Sequence, residues 1–128
     1  MLRDGYVERA IKKLAEAVAR AAGLRAAGAS EHALEELRAA KAALPVVPGV
    51  FELLSAKDLR RALGSDEVAA QYVEILRQEA AVQLELGHER EARSAERRAS
   101  RLAAELSDDG ADDPGRDLGE QRVRQGRQ

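Results

Sequence analysis

The sequence predicts an all-α fold in which antiparallel helical hairpins pack as an array or bundle of about five helices. The first observation is composition: 26 of the 128 residues are alanine and only 2% are aromatic, a balance typical of helical proteins. The second is a turn that occurs twice. A helical pattern stops at Gly28 and at Gly87, and an alanine follows five residues later, at Ala33 and Ala92. Glycine commonly ends a helix in the left-handed conformation, and a small residue lets the next helix pack closely.

The first predicted hairpin covers residues 4–45. We expect its first helix to begin near Asp4, whose carboxylate can cap the free amides, and to end before Gly28. Ser30 is predicted to cap the second helix, and Pro45 to end it. The apolar stripe of the first helix falls at steps of three and four residues, at Val7, Ile11, Leu14, Val18, Ala21 and Ala22.

Residues 46–64 are predicted to form an insert between the hairpins. The insert begins as a loop between two prolines and continues into an apolar patch that no periodicity assigns, made of Phe51, Leu53 and Leu54. Ser55 followed by Asp58 predicts the capped start of a short helix, which Gly64 ends.

The second predicted hairpin covers residues 65–106, and Ser65 or Asp66 opens its first helix. This helix is apolar over a wide arc, so we expect it to be the most buried of the molecule. Its two stripes are Val68, Tyr72, Ile75, Val82 and Leu86, and Val73, Leu76, Ala80 and Leu84. The ordered domain is predicted to span 1–106, and the acidic, turn-rich segment 107–128 to be a disordered tail.

The two hairpins resemble the tetratricopeptide repeat, a helix pair that stacks into right-handed arrays. The first unit matches the repeat's small, turn and packing positions at Ala21, Gly28, Ala33, Leu37, Ala40 and Pro45, and the second at Ala80, Gly87, Ala92 and Ala99. Glu96 stands where the repeat has a bulky residue, and the two glycines are 59 residues apart (87 − 28), whereas a tandem array repeats every 34 or so. The resemblance therefore implies a divergent pair with an insert. The layout is also similar to that of small bacterial proteins of uncharacterised function.

The resemblance implies a protein or peptide partner, since the first helix of each repeat lines a concave groove. It maps the groove to residues 6–27 and 66–86. Its polar candidates for partner binding are Arg9, Lys12, Lys13, Arg20, Gln71, Arg77, Gln78 and Gln83. Some family members clamp a peptide carboxylate with asparagine, but this chain has no asparagine. That clamp therefore cannot exist here in its usual form.

Charge and motifs argue against several other classes of function. The chain carries 21 basic and 23 acidic residues, a balance that gives no global attraction to nucleic acid or to an anionic membrane. No apolar run approaches the roughly 20 residues of a membrane span, and no secretory signal is visible, so we expect a soluble cytoplasmic protein. There is no cysteine, and His32 and His88 belong to different hairpins. We therefore expect no metal, no cofactor and no catalytic residues.

The leading hypothesis is a non-enzymatic protein–protein interaction module. One alternative is a structural bundle that associates with itself. A homodimer through the broad apolar arc would compensate for a core poor in large side chains, with the insert as a partial cap. The insert would contribute Phe51, Leu53, Leu54, Leu59 and Leu63. The other alternative is an enzyme or small-ligand binder, which a cavity lined by convergent polar groups would favour.

Overall fold

The computed structural model describes residues 2–44 and 49–111, with side chains from 5 to 107 within those ranges. These residues form helices and connecting turns and contain no β-strand, so the all-α prediction is confirmed. In this part of the chain no helix is both long and apolar enough to cross a membrane. The elements are α1 (Leu2–Ala26), α2 (Ser30–Ala42), a 3₁₀ turn (Phe51–Leu53), α3 (Ala56–Leu63), α4 (Asp66–Glu85) and α5 (Glu89–Ala111).

The helices pack as two hairpins, α1 with α2 and α4 with α5. Helix α4 also packs against both α1 and α2, and the short α3 packs on α5 and α4. This central position explains why α4 contributes more buried residues than the other helices described, as its wide apolar arc predicts.

Both hairpin turns use the predicted glycine. Gly28 has φ 80° and Gly87 has φ 84°, in the left-handed region that glycine adopts without strain. In each turn the amide three residues past the helix end donates back to a carbonyl of the last turn, from Ala29 to Leu24 and from His88 to Gln83, both at 2.8 Å. These bonds satisfy carbonyls that the end of a helix would otherwise leave free.

The four alanines of the repeated pattern are buried, which confirms their predicted role in packing. Ala33 and Ala99 are 0% exposed, Ala40 is 6% exposed and Ala92 is 7% exposed. Each lies on the second helix of a hairpin, which packs on the first helix. Because a methyl group occupies little space, the paired helices can approach closely at these positions.

Three predicted helix boundaries were wrong. Helix α1 begins at Leu2, so Asp4 lies inside it and is not its cap. Helix α2 begins at Ser30 itself, with Ala29 as the N-cap residue; the Ser30 hydroxyl instead donates to Glu85 Oε1 at 2.9 Å. Helix α5 continues past 106 to Ala111, and the rest of the predicted tail, 112–128, lies outside the described residues.

The caps of α3 and α4 follow the prediction. The Ser55 hydroxyl accepts the Asp58 amide at 3.1 Å, and the Ser65 hydroxyl accepts the amides of Glu67 and Val68. A serine at this position satisfies backbone amides that the first turn leaves free.

The insert covers part of the broad arc of α4. Phe51 is 1% exposed and its ring centroid lies 5.1 Å from that of Tyr72, while Leu59 and Leu63 are also buried. Leu53 was expected to add core volume, but it is 82% exposed. Phe51 and Leu53 are two residues apart in a 3₁₀ turn, so their side chains point about 120° apart. Tyr72, Ile75 and Val82 are 0% exposed within the single chain, and Leu86 is half-buried. The stripe that contains Tyr72, Ile75 and Val82 is therefore not free to form a homodimer, whereas Leu84 of the second stripe is 61% exposed, and self-association stays a prediction.

Candidate functional site

A cleft lined by charged side chains opens between α2, α4 and α5, beside the 3₁₀ turn. Its volume is about 190 Å³, roughly the space that six water molecules occupy in the liquid. We call it the charged cleft. Its lining comes from four elements and consists of Arg38, Lys41, Glu52, Glu79, Gln83, Glu91, Ser94, Ala95 and Arg98.

An ion pair from α2 to α4 crosses the inner part of the charged cleft. The Lys41 ammonium lies 3.2 and 3.0 Å from the two carboxylate oxygens of Glu79. Their side chains are only 12% and 8% exposed. The same Nζ is 3.8 Å from Glu52 Oε2 and 5.9 Å from the centroid of the Tyr72 ring. Charges this far from water persist in a fold only when they are paired, so each depends on the other.

Arg98 enters the cleft from α5 and leaves part of its hydrogen-bonding capacity unused. Its side chain is 22% exposed, and Nη1 lies 3.9 Å from Glu52 Oε2, which is an ion-pair distance but too long for a hydrogen bond. Neither Nε nor Nη1 has a hydrogen-bond partner, although both atoms are buried. A buried donor without an acceptor costs about 1–3 kcal/mol, and more when it is charged.

The Tyr72 hydroxyl is the third buried polar atom without a partner. Tyr72 is 0% exposed. Burial raises the pKa of its hydroxyl, and the charge of Glu79 adds to that rise, while the charge of Arg98 opposes it. The hydroxyl therefore stays protonated and can donate. Tyr72 does not line the charged cleft, but its ring lies 5.9 Å from the Lys41 ammonium that does.

The charged side chains of the cleft are of both signs. Arg38, Lys41 and Arg98 contribute three cations, and Glu52 and Glu79 are the acids that pair with Lys41 and Arg98. Arg38 is exposed, and no ion pair or hydrogen bond joins it to another described residue. The remaining lining acid, Glu91, is exposed. The lining therefore has three basic and three acidic side chains, which balance in charge.

A second surface, shallow and largely apolar, lies between α4 and α5. Its volume is about 520 Å³. Leu84 is 61% exposed there, and three alanines form much of the apolar remainder. The rim carries charges of both signs, and Arg93 approaches Glu89 at 3.8 Å. We call this surface the α4/α5 groove; it is lined by Arg77, Ala80, Ala81, Leu84, Glu89, Ala92, Arg93 and Glu96.

The predicted partner-binding residues of α1 lie toward α2 or in solvent. Arg9 and Lys13 line a groove of about 240 Å³ between α1 and α2. Lys12 is exposed, and Arg20 donates to Glu36 of α2 at 2.8 Å.

The predicted partner-binding residues of α4 also lie on different surfaces. Arg77 is part of the α4/α5 groove and donates to Glu74, while Gln78 accepts a 3.0 Å hydrogen bond from Arg25 of α1. Gln83 is buried at the charged cleft, where its Oε1 lies 2.7 Å from His88 Nδ1, and Gln71 is half-buried. The eight predicted residues are therefore spread over several surfaces.

A polar network joins the two hairpins near their turns. Arg25 donates from Nε and Nη2 to Glu85 Oε2 at 2.9 and 2.8 Å, and Ser30 donates to the other oxygen of that carboxylate. The hydrogen bonds from Arg25 and then from Ser30 lower the pKa of Glu85. The network therefore fixes the end of α1 against the end of α4.

Sequence reasoning missed the residues that make the charged cleft. Only Glu79 carried a usable signal, because it occupies a position in α4 that is flanked by buried Leu76 and Ala80 and stands four residues before buried Gln83. Lys41 and Arg98 look like ordinary surface charges. In the described ranges no three histidine, cysteine or acidic side chains converge in a way that could hold a metal ion. Comparison of the chain with models of known protein families, with curated proteins and with solved structures found no match.

Proposed function

We propose that this chain is a non-enzymatic protein-interaction module and that its partner docks in the α4/α5 groove. The observation that carries the proposal is Leu84, a large apolar side chain that is 61% exposed and surrounded by alanines inside a charged rim. An apolar centre with a polar rim is the usual composition of a protein interface. Covering one leucine contributes about 1.5–3 kcal/mol, which corresponds to roughly 10- to 100-fold in affinity.

The arrangement of the hairpins supports a scaffold of the tetratricopeptide kind. The first helices of the two hairpins, α1 and α4, pack side by side, and α2 packs on α4 as well. Both hairpins use a left-handed glycine at the turn and buried alanines on the second helix. Such scaffolds present helix faces to other proteins. The sequence has no cysteine and no recognisable nucleophile motif, which agrees with binding rather than catalysis.

Self-association is a second candidate because the rim of the α4/α5 groove is complementary to itself. Arg77 and Arg93 lie beside Glu89 and Glu96 around the same apolar centre. A second copy related by a two-fold axis could therefore place each arginine opposite a glutamate while covering both copies of Leu84.

A photoreactive benzoylphenylalanine at position 84 tests the proposal in cells of the source organism. We expect a discrete crosslinked adduct from position 84, and no adduct from position 53. Leu53 is the matched control because it is 82% exposed and lies on the 3₁₀ turn, outside the groove. Reversing a rim charge with Arg93→Glu should reduce the adduct. Equal adducts from both positions, or none from position 84, would contradict the proposal.

Sedimentation equilibrium of the purified chain separates the two candidates. Self-association predicts a mass that rises with concentration over the micromolar range and returns to the monomer value in Leu84→Asp. A constant monomer mass together with a crosslinked adduct of another protein would assign the groove to a different partner.

A further inference from the structure

A row of exposed arginines follows the outer face of α5, and we call it the arginine row. At 100° and 1.5 Å per residue its members lie within an arc of about 80° and extend over about 17 Å. Three of them line a shallow hollow together with one serine and one acid, Glu91. The hollow therefore has more basic than acidic side chains. The members of the row are Arg90, Arg93, Arg97 and Arg101.

The arginine row has few ion-pair partners within the chain. Arg93 lies 3.8 Å from Glu89, and no ion pair or hydrogen bond joins the other three arginines to any residue in the described ranges. Glu105, one turn beyond Arg101, instead approaches Arg60 at 3.6 Å. Exposed arginines on α3 and α4 each pair with an acid three residues before them, at 3.5 and 3.0 Å. The row therefore carries positive charge that the described residues leave largely unpaired.

Like charges are neighbours along the arginine row. Its successive members are three or four residues apart, the spacing at which side chains of a helix meet. Like charges at this spacing destabilise a helix, so the row lowers the stability of the free chain slightly. Positions where a sequence acts against its own fold are typically positions used for binding. An anionic partner would convert the repulsion along the row into attraction.

The surroundings of the arginine row restrict the class of that partner. Arg93 lines both the row's hollow and the α4/α5 groove, so a partner seated on Leu84 reaches the row beside it. Glu89 and Glu96 lie along the shared edge, and Glu91 lies along the opposite edge. An anionic membrane or a nucleic-acid duplex is broad and would also meet these carboxylates. Single-stranded nucleic acid is bound by stacking its bases on aromatic side chains, and α5 has none.

We propose that the partner of the α4/α5 groove is an acidic amphipathic helix. The proposal rests on the docking proposed above and adds that the partner's carboxylates pair with the arginine row while its apolar side chains cover Leu84. A helix carries an apolar stripe beside a polar one along its whole length, and carboxylates at steps of three and four residues repeat the spacing of the arginines. A β-strand directs alternate side chains to opposite faces, so it would not present both sets to two adjoining surfaces.

Calorimetric titration of the full-length chain with a synthetic peptide tests the proposal. The peptide has about 20 residues, enough to form a helix, with glutamates along one face and leucines along the next. We expect a dissociation constant of about 100 µM or below at low salt. A matched peptide with glutamine in place of glutamate should bind at least about tenfold more weakly. Added salt should reduce the difference between the two peptides, because it screens exposed charges.

A double variant of the row locates the binding. Arg97→Gln with Arg101→Gln should weaken binding of the acidic peptide about tenfold and leave binding of the glutamine peptide unchanged. Since it removes like-charge neighbours, the same variant should unfold at a slightly higher urea concentration than the wild type. Arg61→Gln is the matched control, because Arg61 is an exposed arginine of α3 that does not line the hollow. It should change the affinity by less than about twofold.

The chain's own acidic segment is tested as a competing occupant. Asp112→Asn with Asp113→Asn removes two of its charges in the full-length chain. A tethered competitor acts at a millimolar effective concentration. We expect the variant to bind the acidic peptide with an affinity within about threefold of the wild type. A rise of more than about tenfold would assign the arginine row to the chain's own segment and overturn the proposal.

Four other results would overturn the acidic partner. They are equal binding of the acidic and glutamine peptides, tighter binding of an oligodeoxythymidylate or of phosphatidylserine vesicles, an unfolding midpoint lowered by Arg97→Gln with Arg101→Gln, and an undiminished crosslinked adduct from position 84 in that double variant. The last result would leave docking in the groove intact. Absence of the adduct in the otherwise wild-type chain would instead refute the docking itself.

Discussion

Replacing Glu79 with leucine should strongly destabilise the fold, because it leaves the Lys41 ammonium buried without its main partner. The Lys41 side chain is 12% exposed, and its two contacts with Glu79 are 3.0 and 3.2 Å long. Removing one member of a buried pair typically costs about 3–5 kcal/mol. Glu52 remains 3.8 Å from the ammonium, which is close enough for partial compensation. We therefore expect the free energy of unfolding to fall by about 3 kcal/mol, the lower end of that range. For a chain of this size this corresponds to a fall in Tm of roughly 10 °C.

Urea unfolding followed by circular dichroism at the helical band measures this cost. The double variant Lys41→Met with Glu79→Leu should recover most of the loss, because well-packed apolar side chains can replace a buried ion pair at little cost. Glu36→Leu is the matched control. It breaks the pair between Arg20 and Glu36, whose side chains are 54% and 38% exposed, and should cost no more than about 1 kcal/mol.

A loss below about 1 kcal/mol for Glu79→Leu would refute this account, since it would mean that Lys41 reaches water easily. The account would also be refuted if the double variant lost as much unfolding free energy as the two single variants lose together. That result would show that the two side chains contribute independently.

Three further predictions concern stability and use the same unfolding assay. Tyr72→Phe should leave the free energy of unfolding unchanged or raise it by up to about 1 kcal/mol, because the lost hydroxyl has no partner. A fall in the free energy of unfolding of more than about 1 kcal/mol would show that the hydroxyl has a hydrogen-bond partner. Burial raises the pKa of Tyr72 in the folded chain. The contribution of the protonated hydroxyl to the free energy of unfolding is therefore complete below the ordinary tyrosine pKa of about 10 and declines as the pH rises beyond it. Tyr72→Phe should reduce this loss of stability at alkaline pH. Gly87→Val should cost about 1–2 kcal/mol through its φ of 84°, whereas Gly23→Ala, at a helical glycine with free space around it, should stabilise by about 0.5–1 kcal/mol. Ala99→Leu should overpack a position that is 0% exposed and cost about 1–3 kcal/mol; a neutral result would mean that α4 and α5 are not closely packed there.

Features governed by local chemistry could be read from the sequence. Gly28 and Gly87 were predictable because only glycine ends a helix in the left-handed conformation without strain. The caps at Ser55 and Ser65 were predictable for a similar reason, since a hydroxyl there meets free backbone amides. Ser30 has the same chemistry, but its hydroxyl bonds Glu85 across the hairpins. A long-range partner decided its role, and no local pattern contains that information.

The charged cleft depends on how three helices and the insert come together. Arg98 and Lys41 are 57 residues apart in sequence (98 − 41), and nothing in the periodicity of either helix says that both approach Glu52. Surface arginines and lysines follow the same pattern along a helix. Glu79 lies among buried neighbours on α4, but the sequence analysis made no prediction for it, and its partner could be identified only after α2 and α4 were packed together.

The shortage of large side chains explains why the cleft contains charges at all. Alanine positions let α4 and α5 approach closely, but they leave space where α2 and the insert meet those helices. Phe51 fills one part of that space against Tyr72. The next residue, Glu52, is then held within 3.8 Å of Lys41 and 3.9 Å of Arg98. Long basic side chains fill the remaining space with their aliphatic stems and bring their charges with them. The packing of Phe51 therefore also sets the geometry of the cleft, because it fixes the carboxylate on which two of the three cations converge.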